Sequence, residues 1–223
     1  MNSMLKTIAV AMVCGTLLAP IWGQSEELQP IQLPKPRLEA GKPLMQVLKD
    51  RKSSRVFSSE KLPIQTIADL LWAACGINRA DSGKRTAPTA VNWQEIDVYI
   101  ATAEGLYLYD AVAHGLKPVA AGDIRELTGK NAFVKDAPVN LIFVADLAKM
   151  GKASVPNKDF YAATDTGFVS QNVYLFCASE GLATVVRGSI DRPALAKAMH
   201  LRPDQKIVLA QTVGLPKKAV QKE

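Results

Sequence analysis

The 223-residue sequence predicts an α+β fold, a mixed, mostly antiparallel central sheet flanked by helices. Three observations carry that expectation. Helical and strand-like runs alternate along the chain. A hairpin pattern sits inside the alternation, with Val98-Tyr99-Ile100-Ala101-Thr102 and Leu106-Tyr107-Leu108-Tyr109 joined by Ala103-Glu104-Gly105. One long helical run, Tyr161 to Glu180, stops at Gly181. With 48% hydrophobic and 22% charged residues, the chain can bury a core without a disulfide framework.

Met1 to Gly23 reads as a secretory signal. Lys6 precedes the apolar run Ile8 to Ala19, and Pro20 and Gly23 supply a turn and a cleavage point. The run is too short to span a bilayer, which needs ~20 residues. Cys14 as a lipidated cysteine is the weaker reading, because Ala11-Met12-Val13 matches that signal poorly. Export to the periplasm is therefore expected.

Residues 24–43 hold Pro30, Pro34, Pro36 and Pro43 and read as an extended arm ahead of a domain at 44–223, since each Pro fixes φ and disfavours helix before it. The arm either embraces a neighbouring subunit or is a spacer. A helix follows from Pro43 to Asp50, then a polar, basic loop from Arg51 to Ser59, then a helix from Ile64 to Cys75 with Ile64, Ile67, Leu70 and Leu71 on one face and Gly76 as its stop. Asn78 to Gln94 carries turn formers throughout and reads as a long loop of the kind kept for binding. After the hairpin come a weak helical stretch (Ile124 to Thr128) and strands at Val139–Ala145, Ala183–Arg187 and Lys206–Val213. Asp191 caps a helix running to His200. Cys75 and Cys177 sit in helical apolar patterns and read as small buried hydrophobes, although a disulfide between them is allowed.

The net charge of +6 comes from scattered residues, which does not point to nucleic acid. Two His and three Cys make a metal site unexpected. Phosphate-loop, dinucleotide-turn, zinc-helix and nucleophile-elbow motifs are missing, and His114 and His200 have no nucleophile near them in sequence. Arg51, Lys52, Ser53 and Arg55 put two guanidiniums, an ammonium and a hydroxyl within five residues, which suits an anion but taken alone reads equally as a solvated basic loop. Lys217 and Lys218 form a second basic spot after Gly214-Leu215-Pro216.

Taken together, these segments resemble the nitroreductase family of FMN-dependent flavoproteins. Arg51-Lys52-Ser53-Ser54-Arg55-Val56-Phe57 is similar to its R-x-S-x-R-x-F opening. Pro88-Thr89-Ala90-Val91-Asn92-Trp93-Gln94 is similar to its P-S-x-x-N-x-Q loop. Ser170 to Leu175 and Glu180 to Gly188 resemble its long helix and flavin strand, and Gly214 to Lys217 its ending. Leu71 to Arg79, Arg85 to Pro88, and Gly105 to Asp110 followed by His114 resemble a branch that includes azoline-oxidising dehydrogenases.

The resemblance implies an intertwined homodimer binding two FMN, with the flavin alternately reduced by a donor and oxidised by a small organic substrate. It implies that Arg51, Ser53 and Arg55, with Lys52, hold the phosphate, ribityl chain and pyrimidine edge. Thr89, Asn92 and Gln94 would line the flavin from the partner subunit. Arg187 and Gly188 would offer backbone N–H groups to the ring, and Lys217 and Lys218 would complete the phosphate site. No catalytic side chain is implied, because the flavin carries the chemistry. Where many members have an acidic residue before the flavin glycine, this chain has Arg187. A side chain turned toward the ring would raise the flavin potential. Two other readings stay open: a dehydrogenase of a peptide azoline or small heterocycle, and a non-catalytic exported flavin- or ligand-binding protein.

Overall fold

The structure, a computed structural model, describes residues 27–217. The expected signal at Met1 to Gly23, Cys14 within it, and Lys218 lie outside the described residues. The centre of the molecule is β7 (Val139–Asp146), whose sequence VNLIFVAD barely alternates and is buried along its whole length. Such a run suits a strand covered on both faces.

Around β7 lie β4 (Ile96–Ala101), β5 (Gly105–Asp110), β6 (Gly115–Ala121), β1 (Ile31–Gln32), β9 (Gln205–Gly214) and β8 (Ala183–Arg187), in the order β1-β6-β5-β4-β7-β9-β8. The mostly antiparallel sheet that the sequence predicts is present, and every strand pairing among the described residues is antiparallel. On one face α2 (Ile64–Cys75) and α4 (Val155–Glu180) set Leu70, Leu71, Val169 and Val173 against Ile100, Leu141 and Phe143. On the other, α5 (Arg192–Ala198) brings Leu195, with Met199 just beyond it, to Tyr99, Ile142 and Ala210. Each such large apolar side chain contributes roughly 1.5–3 kcal/mol on burial.

The ends of the helices have local causes. α2 stops at Gly76, whose N–H bonds Trp72 O at 2.8 Å, and a Cβ there would lie 2.4 Å from the Trp72 ring. Asp191 caps α5 by accepting the Ala194 N–H at 3.2 Å, as expected. α4 ends at Gly181 in the left-handed conformation, φ 71°. It begins at Val155 rather than Tyr161, because the polar first turns carry no apolar stripe to mark them. α1 (Leu44–Asp50) lies across α4, and α3 (Phe133–Asp136) is a single turn before β7.

Two expectations need correction. The segment after Asn78 is not a plain loop: β2 (Ile77–Arg79) and β3 (Lys84–Arg85) form a small ribbon, followed by a 3₁₀ turn at Ala90–Asn92. The arm is extended as expected, but its described part binds this same chain. β1 pairs with β6, Leu33 is buried, and the Leu33 N–H bonds His114 O at 3.2 Å. The His114 ring bridges Tyr109 Oη (2.9 Å to Nδ1) and Pro34 O (2.9 Å to Nε2), so Nε2 carries the proton donated to the carbonyl. Arg37 then clamps Asp69 of α2 through both its N–H and its guanidinium. Among the described residues no helix is long and apolar enough to cross a membrane.

Candidate functional site

The chain leaves α1 at Arg51 and runs as an extended segment along the edge of β8. The Ser54 N–H bonds Thr184 O at 2.8 Å, and farther on Phe57 pairs antiparallel with Pro216 while the Ser58 N–H bonds Leu215 O at 2.9 Å. That register sets Lys217 opposite Val56, so the two basic segments, far apart in sequence, meet. Gly214 makes the meeting possible, because a Cβ there would lie 2.8 Å from the Pro138 ring and 3.4 Å from the Phe57 ring.

Tyr174 of α4 organises the start of this segment. Its Oη accepts the Val186 N–H at 3.0 Å and lies 2.8 Å from Ser53 Oγ, while the Arg51 guanidinium stacks 5.3 Å from its ring centroid. Since Tyr174 already accepts from Val186, the arrangement in which it donates to Ser53 uses both of its roles and leaves the Ser53 proton for an outside acceptor. Nothing in the local sequence marks Tyr174 as a site residue. Its helical position was legible, but the crossing of three segments at one hydroxyl was not.

Arg51, Lys52, Arg55 and Lys217 make no ion pair among the described residues. Of these four, Lys52 borders a cleft of about 520 Å³ that is also lined by Lys42, Lys49, Asp50, Ser54, Thr184 and Pro216, with Asp50 3.8 Å from Lys42. Four cations without carboxylate partners, a serine hydroxyl and a cleft of ligand size suit a phosphate-bearing molecule.

Thr89, Asn92 and Gln94 lie in the loop before β4, which packs against a different part of the same long helix. Their loop is tied to α4 by the Ala90 N–H, which bonds Asp165 Oδ2 at 2.9 Å, and by the Trp93 ring edge-on to Tyr161. Within the loop the Gln94 N–H bonds Thr89 Oγ1 at 3.0 Å, and the Gln94 amide bridges Arg85 Nε, Gly83 O and Asn92 Oδ1. Val91, Asn92 and Gln94 all hold φ between 48° and 58°. A β-branched residue there is a steric outlier, and such strain collects at functional loops. Asp165 and Tyr174 are nine residues apart on α4, roughly 13 Å along its axis. One chain thus presents two separate halves of the expected residue set.

Gly188 is exposed just past the end of β8. Arg187 differs from expectation in its side chain, which does not turn toward the basic segment or α4. Alternation along β8 sends it to the opposite face, where its guanidinium donates to Thr128 O, Thr128 Oγ1 (3.1 Å), Asn140 Oδ1 (2.6 Å) and Thr212 Oγ1 (2.9 Å). No carboxylate accompanies it, and burial lowers its pKa to about 10. Gly129 passes so close that a Cβ would lie 2.6 Å from the guanidinium. The side chain belongs to a buried polar knot and, contrary to the expectation, is not turned toward the basic segment where it could act on a ring.

The other candidates have structural roles. Cys75 and Cys177 are free and buried, and burial pushes the Cys75 thiol up to about 11 and Cys177 upward as well, which keeps both as unreactive thiols. His114 pins the arm, and His200 follows the last turn of α5.

The sequence profile of the nitroreductase family matches residues 48–215. A crystal structure of a candidate nitroreductase from Ralstonia eutropha superposes with a TM-score of 0.82 at 42% identity, covering 85% of this chain and 90% of that one. A candidate nitroreductase of Methanocaldococcus jannaschii is 29% identical over 156 residues, 66% of this chain and 78% of its own length. A chloronitrobenzene nitroreductase of Comamonas testosteroni is 24% identical over 210 residues, covering 75% of this chain and 84% of its own.

Proposed function

The chain belongs to the nitroreductase family, and from that premise we propose that it is an FMN-dependent oxidoreductase that works as a homodimer on a small organic substrate. The observation that carries the proposal is the convergence of the Arg51–Arg55 segment with Lys217, whose four cations make no ion pair among the described residues, next to a Ser53 hydroxyl held by Tyr174. Arg51, Ser53 and Lys217, with Lys52, would bind the phosphate, and Arg55 would face the pyrimidine edge, where a cation favours an anionic ring. The exposed Gly188 would offer its N–H, and Lys218 would extend the phosphate site. FMN, when bound, supplies a reversible two-electron carrier, so the side chains need only bind, orient and exclude water.

Thr89, Asn92 and Gln94 would reach the flavin of a second copy. The roughly 13 Å between their anchor and Tyr174 on α4 supports that division of labour. So does a line of exposed residues on α4, Phe160, Ala163, Thr164, Gly167 and Phe168, whose small members allow close helix approach. The donor and substrate would take turns at one open face, and a nitroaromatic such as a chloronitrobenzene is the first acceptor to try, by analogy with the Comamonas relative. The apolar run Ile8 to Ala19 supports export to the periplasm with processing after Gly23.

The test is an absorbance spectrum of the purified protein, followed by titration with reductants and nitroaromatic acceptors without oxygen. Bound flavin that is reduced and reoxidised supports the proposal. A colourless protein that does not take up added FMN overturns it.

A further inference from the structure

Glu95 immediately follows the strained loop and is fully buried, yet neither of its carboxylate oxygens has a hydrogen-bond partner. Two bare oxygens on an ionised carboxylate are costly in a dry site, because water is not there to solvate the charge. The carboxyl whose charge bears on Glu95 is that of Asp165 of α4, itself 2% exposed. Asp165 in turn accepts the Ala90 N–H at 2.9 Å. Two carboxylates facing each other in this way repel when both are ionised, and attract when one proton lies between them.

We infer that Glu95 and Asp165 share one proton, and that this proton latches the 89–94 loop onto α4. Glu95 donates to Asp165, Asp165 holds Ala90, and the loop keeps Val91, Asn92 and Gln94 in left-handed backbone conformations. In its consequence for flavin the inference rests on the proposed role of this loop; the latch itself does not.

The surrounding charges allow it. Lys149, in the 3₁₀ turn Leu147–Met150, faces Glu95 but is committed to Asp97 of β4 at 2.6 Å and to Gln94 O at 3.4 Å. It offsets the pair's charge only in part. Burial, reinforced by Asp165, pushes the Glu95 carboxyl up to about 7 from an ordinary 4.5. The fold then binds the proton more tightly than the unfolded chain does. Its stabilising contribution is complete below about 4.5 and fades as pH rises through about 7.

The experiment compares thermal midpoints of the flavin-free protein between pH 5 and pH 8 with those of Glu95→Gln and Asp165→Asn. Either amide supplies a permanent donor to the remaining carboxylate. Both variants are expected to hold their midpoints while the wild type falls by on the order of 5 °C. Parallel curves for all three overturn the latch. If either variant fails to fold, infrared spectra of the wild type decide: a protonated-carboxyl carbonyl band at pH 6 that vanishes by pH 8.5 supports the shared proton, and no such band refutes it. FMN titrations over the same range separate the two readings. A latch transition with no matching change in flavin affinity keeps the shared proton and removes this loop from the cradle.

Discussion

Tyr174 shows how one hydroxyl can order a binding segment. It joins α4 to the Val186 amide of β8 and to Ser53, and its ring carries Arg51. Tyr174→Phe keeps the ring and its packing but removes both hydrogen bonds. Under the proposed function, FMN affinity should fall about tenfold, the ~1.4 kcal/mol of one well-placed hydrogen bond, and the thermal midpoint of the flavin-free protein should fall by a few degrees as the Val186 N–H loses its acceptor. Fluorescence titration of FMN reads the first and calorimetry the second. Arg187 works by the opposite logic, holding acceptors from Thr128, Asn140 and Thr212 together inside the fold. A lysine ammonium cannot reproduce that fork. Arg187→Lys should therefore lower the unfolding free energy in urea by about 2–3 kcal/mol, from acceptors left without donors.

Among the elements, those built on a simple period were legible. α2 ends where Gly76 predicts, β8 spans Ala183–Arg187 as expected, and Asp191 caps α5. β6 was not legible, because Gly115 and Pro118 break its pattern and its register shifts between Leu106 and Tyr107 of the neighbouring strand. The ribbon β2–β3 escaped for a similar reason: with two or three residues in each strand, no alternation develops. In the candidate site, the basic segment was legible as chemistry, since guanidiniums and a serine cluster within five residues. Its meeting with Lys217 depends on a single bridge, Phe57 to Pro216, that local patterns do not encode. The strain in the 89–94 loop was equally invisible, because only Asn92 of its left-handed residues is of a type that commonly adopts that conformation. Val91, at φ 48° and 81% exposed, pays for no packing there. Val91→Asn should relieve about 1 kcal/mol of strain and raise the thermal midpoint by about 3 °C. An unchanged or lower midpoint would mean that the loop conformation costs little.

At the scale of the whole molecule, α4 is the axis on which the two halves of the proposed cradle are hung. Tyr174 holds the basic segment near its C-terminal end, and Asp165 holds the 89–94 loop more than two turns earlier. Between and around them, Phe160 and Phe168 stand 63% and 44% exposed on the same helix as Ala163 and Gly167. If two copies pair through this surface, each brings its loop to the other's basic segment, and dimerisation and flavin retention become one property. Phe168→Glu tests that linkage. A carboxylate in each copy would be buried without a partner at the proposed contact, a loss of several kcal/mol that a modest interface cannot absorb. Sedimentation should then show monomers at concentrations where the wild type is dimeric, and the same preparation should lose its flavin absorbance. The thermal midpoint of the isolated chain should be unaffected, since Phe168 is exposed in it. A monomeric variant that still holds FMN at wild-type strength would show that one chain completes the cradle alone, and the division of labour along α4 would fail.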